Sequence, residues 1–171
     1  SDMCIRDSAK SYMNTGNYDK AEIYFNEVVR VGQELSDLLV EGWGHNGLGI
    51  VAEARGLFDL ARDHYRRVQS NDKELQAAVS AQLGVVEYRT GNREIGAELF
   101  HKALRLFKEV ESLAGQANVL NSLGNVAKDL SDFELALKYF LESIELKSSL
   151  DDRIGVLNSK KNVAIVYRRM N

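Results

Sequence analysis

The side chains in this sequence with the most obvious chemistry are three histidines, one cysteine, a short glycine run and a recurring set of asparagines and basic residues. His45, His64 and His101 lie far apart in the chain, and none is expected to have a carboxylate or cysteine at ligand spacing on the same helix turn, so they are read as helix-surface or packing residues. Cys4 has no histidine base near it and is read as a small packing residue rather than a nucleophile. Gly47-Leu48-Gly49 is followed by no Lys-Ser/Thr pair and falls inside a helix pattern, so it is not a phosphate loop. No catalytic constellation, metal site or cofactor is expected. What remains is binding chemistry. Asparagine carries both a donor and an acceptor, the pair that an extended peptide backbone presents.

The bulk numbers narrow the partners. A net charge of −3 gives no overall attraction to nucleic acid or to an anionic membrane. Hydrophobic residues make up 44% and charged residues 27% of the 171 residues, which excludes disorder. One cysteine excludes an internal disulfide, and no apolar run approaches the roughly 20 residues that cross a bilayer. With no signal-peptide pattern at the start, a cytoplasmic location is expected. The chain begins almost inside a helix and stops without a flexible tail, which fits a longer parent array or a neighbouring domain. Proline is absent, so helix breaks must come from Gly, Asn, Asp and Ser.

Periodicity supplies the elements. Gly16-Asn17-Tyr18-Asp19-Lys20-Ala21 aligns with Gly56 to Ala61, with Gly91 to Gly96 and with Ser131 to Ala136. The sixth residues of these stretches, 21, 61, 96 and 136, are spaced 40, 35 and 40 apart. Four residues after each comes an aromatic (Phe25, Tyr65, Phe100, Phe140), and twelve before each a small residue (Ala9, Gly49, Gly84, Gly124). Another 40 residues reach Ala164, followed by Tyr167. Small residues let two helices of a hairpin approach closely, and the aromatic fills the space left beside them. The pattern predicts helices at 2–14 and 18–35, 38–54 and 58–70, 72–89 and 93–111, 114–129 and 133–149, and 152–169. Start signals are Asn17, Asp37, Asn71-Asp72, Asn92, Asp132 and Asp151. The shorter step of 35 predicts short helices around residues 68–75. The last helix is expected to act as a cap, with Ile154, Leu157, Val163, Val166 and Tyr167 covering the fourth hairpin and Ile165 and Met170 left outside.

Leu48-Gly49, Leu83-Gly84 and Leu123-Gly124, with Ala21/Phe25, Ala61/Tyr65 and Ala136/Phe140, make the chain resemble the tetratricopeptide repeat family over nearly its whole length. It departs from the family in lacking the closing proline, in Gly96 for Ala, and in Ser8-Ala9 for Leu-Gly. The spacing near 40 is similar to the long-helix variety found in kinesin light chains, spindle-orientation scaffolds and bacterial sensor regions. The resemblance implies an all-α fold, a right-handed superhelical α-solenoid of stacked antiparallel hairpins, here a single array over 1–171.

In such a stack the first helices line the concave face, and residues three before and one after each small crossing residue point into it. That register and its neighbours give Arg6, Lys10, Asn14, Asn46, Arg89, Asn118, Asn121, Asn125, Lys128, Asn158, Lys161, Asn162 and Arg168 as candidate peptide contacts. The family resemblance agrees, since related arrays hold peptides with asparagines at such positions. Glu53 and Asp129 are acidic exceptions, and Ala81, Val85 and Tyr88 make the third unit apolar. Trp43 is read as a packing residue, with a groove anchor as the alternative. The expected function is a monomeric protein-interaction scaffold holding a protein or peptide segment of acidic character. The alternative is a peptide-responsive sensor module of a larger signalling protein or transcription factor; self-association through the ends is a third reading.

Overall fold

A computed structural model describes residues 2–170 of the chain, with side chains from Cys4 onward. Within them the elements are helices α1 (Asp2–Asn14), α2 (Tyr18–Leu35), α3 (Leu38–Ala54), α4 (Phe58–Arg66), α5 (Lys73–Arg89), α6 (Arg93–Glu109), α7 (Leu113–Asp129), α8 (Phe133–Ser149) and α9 (Arg153–Met170). Short polar residues start most of them. Asn17, Asp37, Asp72, Ser112 and Asp132 each accept from a free amide in the first turn of the helix they precede. Asn92 makes no such cap and bonds Glu87 instead, while at α9 the capping side chain is Asp152 rather than the expected Asp151. Gly56 and Gly91 end their helices at φ of 75° and 97°, and Ser131 takes the same left-handed conformation at φ 62° in the fourth hairpin.

The second, third and fourth hairpins each close on a glycine. A Cβ on Gly84 would stand 2.7 Å from the ring of Phe100, and one on Gly124 would stand 2.6 Å from the ring of Phe140. The aromatic therefore lies against the bare backbone of the facing helix. Gly49 and Tyr65 repeat the arrangement, and Phe25 lies on Gly47 of the following hairpin. These rings, with Ala61, Val86, Leu123 and Val166, form a row of apolar clusters running along the stack rather than one central core.

Consecutive helices pack throughout, and α1, α3, α5, α7 and α9 also touch one another in succession. The second helices α2, α4, α6 and α8 make no such contact among the described residues. Crowding on one side and splaying on the other bends the stack, so the first helices form its inner face. The molecule is an α-solenoid of stacked antiparallel hairpins.

The structure corrects three expectations. Helix α4 ends at Arg66, not at residue 70, and has 9 residues where α5 keeps 17, so only one of the two flanking helices is short. The missing length falls in α4 because the chain leaves the helix after Arg66 and Asp72 restarts it, with Ser70 Oγ accepting from the Asp72 amide. In α9, Val166 is buried and Val163 packs on the fourth hairpin, but Ile154, Leu157 and Tyr167 are 76%, 68% and 54% exposed. The reason is cover: Leu157 and Tyr167 stand where Ala117 and Ala127 stand forty residues earlier, and α8 packs over that side of α7, whereas among the described residues no helix packs over the same side of α9. Cys4, read as a packing residue, is exposed.

Candidate functional site

The inner face carries a trough of about 400 Å³, floored by the third hairpin. Helix α5 presents Ala78, Ala81 and Val85, short side chains that leave room above them, and Trp43, Ile50, Phe107 and Val119 form the apolar flanks. A second hollow of about 210 Å³ continues from Trp43 and Asn46 towards Arg6, Met13 and Asn14. Trp43 thus stands between the two, half-buried, with the Arg6 guanidinium 5.3 Å and Lys10 Nζ 5.9 Å from its ring centre.

The predicted polar residues fall into distinct groups. Arg6, Lys10, Asn14, Asn46 and Asn118 line these hollows. Asn46 is 6% exposed, and its Oδ1 has no hydrogen-bond partner; Arg6 Nε is likewise buried without one. Arg89 is engaged within the protein, bonding Glu53 at 3.2 Å and covering the Phe58 ring. Burial pushes the Glu53 carboxyl above its ordinary pKa, while Arg89 and the Tyr65 hydroxyl act the other way. Asp129 accepts from the Tyr88 hydroxyl at 2.6 Å and lies 3.8 Å from Arg169, so both acidic exceptions are already partnered. Asn158, Lys161 and Arg168 are exposed on α9, and among the described residues no carboxylate lies within 4.0 Å of Lys161 or Arg168. Gln82 and Ser122 also line the trough and were absent from the predicted set; their positions on the faces of α5 and α7 are the signal that would have found them.

Asn121, Asn125, Lys128 and Asn162 are bonded to one another or to neighbours. Asn125 Oδ1 accepts from Lys128 Nζ at 2.9 Å. Asn121 Oδ1 accepts from Ser159 Oγ at 3.1 Å and from Asn162 Nδ2 at 3.2 Å, which ties α7 to α9. Behind them Lys147 donates to Ser159 Oγ at 3.1 Å, and burial pulls its ammonium below the ordinary lysine pKa. An ammonium can only donate, so Ser159 turns its single proton to Asn121 and the Asn121 amide is left with N–H groups to offer. Ser143, which bonds the Ala117 carbonyl at 2.7 Å, completes this buried polar seam.

The outer face holds a separate cavity of about 360 Å³, opened by the splay between α2 and the short α4. Two of the histidines separated in sequence meet there. His45 Nδ1 and His64 Nδ1 are 3.4 Å apart, and His45 Nε2 lies 3.8 Å from Glu41, whose carboxylate accepts from Gln33 at 3.1 Å. Burial lowers the pKa of both rings and keeps them neutral, and for His45 the neighbouring His64 acts in the same direction. The expectation of isolated histidines is therefore wrong for this pair; Glu41, one turn before His45, was the local signal. His101 stays apart, exposed and near Tyr139. Among the described residues, no three His, Cys, Asp or Glu side chains gather as metal ligands, and no helix is long and apolar enough to cross a membrane.

Comparison with known proteins agrees with this geometry. The chain superposes on BtubC (BKLC) from P. vanneervenii with a TM-score of 0.73 at 20% identity, covering 90% of this chain and 66% of that one. A putative kinesin light chain with nearly identical TPR-like repeats from Podosopora anserina gives 0.71 at 13% identity, covering 97% and 85%. A STAND protein with a tetratricopeptide repeat sensor from Pyrococcus horikoshii gives 0.71 at 16%, covering 97% of this chain but 27% of that one. No curated protein matches the chain. The tetratricopeptide repeat model matches residues 3–74 and 75–149, and such repeats are generally protein–protein interaction modules in non-enzymatic scaffolds. Repeat register, hairpin stacking and family model coincide: the chain belongs to the tetratricopeptide repeat family.

Proposed function

We propose that the array binds an extended peptide segment of a partner protein along its inner face, with one bulky apolar side chain seated on α5. The observation that carries this reading is the trough itself. Its apolar floor of Ala78, Ala81 and Val85 is bordered by Asn46, whose buried Oδ1 lacks a donor. Burying the apolar side chain contributes about 25 cal/mol per Å² of area removed from water. Further along, Asn121 and Asn125 offer N–H groups, because their oxygens are taken by Ser159, Asn162 and Lys128. These suit peptide carbonyls. Lys10 and Lys161 add positive charge at the two ends, which favours a segment bearing carboxylates.

Trp43 makes the test direct, because it is the only tryptophan and lies against the trough. Peptides selected from a random displayed library should change Trp43 fluorescence saturably and share an apolar residue flanked by acidic ones. Val85→Asp should weaken them at least tenfold, and Asn125→Ala should weaken them with the fold intact. Selected peptides that leave Trp43 unchanged and bind Val85→Asp as well as the parent would place binding elsewhere. Asn121→Ala is a poorer probe, since it also unties α9.

A further inference from the structure

We propose that the outward side of α9 docks an acidic amphipathic helix of a partner protein, seated on α9 as α8 sits on α7. The first support is an uncovered apolar stripe. Ile154, Leu157, Ala164 and Tyr167 follow one another at spacings of 3, 7 and 3 residues, which places them on one side of the helix. Ile154, Leu157 and Tyr167 are 76%, 68% and 54% exposed, and Ala164 is exposed with them. Among the described residues α9 touches only α8 and α7, through the opposite side that carries Ser159, Val163 and Val166.

Continuity with the stack gives the second support. Forty residues earlier, Ala117, Gly124 and Ala127 occupy the positions of Leu157, Ala164 and Tyr167, and α8 covers them. At the other end of the array the match is closer. Ala9 and Tyr12 have the spacing of Ala164 and Tyr167 and the same place in their unit. There Ala9 is 0% exposed, in one cluster with Ala21 and Phe25 of α2, and Tyr12 stacks on Tyr24 with ring centres 5.3 Å apart. Ala164 and Tyr167 present the same small residue and ring, and among the described residues no helix lies over them. A helix with a small residue at the crossing and rings three and four residues later, as Ala21, Tyr24 and Phe25 stand in α2, fits that face.

Charge gives the third support and decides the occupant. The 18 residues of α9 include five cations, Arg153, Lys160, Lys161, Arg168 and Arg169, and no carboxylate, although the whole chain is −3. Arg153 and Arg169 lie 3.4 and 3.8 Å from Asp151 and Asp129. Lys160 stands three residues after Leu157 and four before Ala164, and Arg168 four after Ala164, so both border the stripe. Both are exposed, and among the described residues no carboxylate lies within 4.0 Å of either. A second copy of the chain would set these cations against their own kind, so like charges oppose self-association through this side. A helix with carboxylates beside its apolar stripe pairs with them instead. Helix α2, with four carboxylates to two cations, has that character.

The probe is a synthetic peptide of the α2 sequence, Asn17 to Ser36, blocked at both ends, labelled with fluorescein and titrated with the full chain at low salt. Its anisotropy should saturate at one peptide per chain, and the mixture should show more helical circular dichroism than the sum of its parts. Trp43 fluorescence should stay constant, which separates this side from the inner trough. Leu157→Asp should weaken binding about tenfold or more, as for the loss of one buried leucine. Ala164→Leu should weaken it as well, because the docked ring needs a small residue beneath it. A peptide whose four carboxylates are changed to amides should bind several-fold more weakly, with the difference closing as salt is raised. Both chain variants are at exposed positions and should keep the helical circular dichroism of the parent. No saturable binding, binding that moves Trp43, or binding that either chain variant leaves intact overturns the proposal. So does a mass of the free chain that grows with concentration and reverts in Leu157→Asp, which assigns the face to a second copy. Protection of Tyr167 from hydroxyl radicals in the partner-free natural gene product overturns it too, assigning the face to that chain's own helix.

Discussion

At Gly124 two effects of a single methyl group oppose each other. Alanine in place of a mid-helix glycine gains about 1 kcal/mol of helix stability. Here its Cβ would stand 2.6 and 2.7 Å from the ring of Phe140, which is 0% exposed and has nowhere to move. Overpacking a filled core costs about 1–3 kcal/mol, so the clash outweighs the propensity. Gly124→Ala is expected to lose about 1 kcal/mol net, read as a lower urea midpoint with an unchanged slope. The sequence showed this residue's role, because the glycine and the aromatic recur at fixed offsets in successive units. It showed Asn46 only as a residue on the inner face. That its oxygen is buried and unbonded depends on how closely α1 and α3 converge.

At the scale of the element, α4 is the weak joint of the stack, and one side chain secures it. Arg62 bonds Glu87 on α5 at 2.7 Å, Asp59 at 2.8 Å and the Thr90 hydroxyl at 2.8 Å. The Arg62 bond, helped by Asn92, holds the Glu87 carboxyl below its ordinary pKa of 4.5. A carboxylate whose folded pKa is depressed contributes stability that is present above 4.5 and lost as pH falls through the folded value. Glu87→Gln is therefore expected to be less stable than the parent at pH 7, by about 1 kcal/mol for a half-buried charge-assisted pair. The two should converge below pH 4.5, as measured by chemical unfolding across pH. The short period of 35 pointed to a disturbance here, but the sequence alone did not assign it to α4. That depended on where a helix could stop and be capped again, and Ser70 and Asp72 provide the restart.

For the whole molecule, stability is a sum over neighbouring hairpins, so the ends differ from the middle. Ile154 and Leu157 on α9 are 76% and 68% exposed, whereas Val166 on the same helix is 0% exposed. Leu157→Ala should therefore change stability by less than about 0.5 kcal/mol, as for surface sites. Val166→Ala should cost about 1–2 kcal/mol and shift the thermal unfolding of the parent downward. Equal effects at both positions would mean that α9 seats on the fourth hairpin by a different face.

The repeat register and the all-helical character were written in the chain, because spacing along a helix converts directly into direction around its axis. Three features were decided only by the tertiary structure: the meeting of His45 with His64, the bond between Asn121 and Asn162, and the outward turn of Ile154 and Leu157. Each depends on how one helix packs against another, α3 on α4, α7 on α9 and α8 on α9, and no periodicity within one helix carries that.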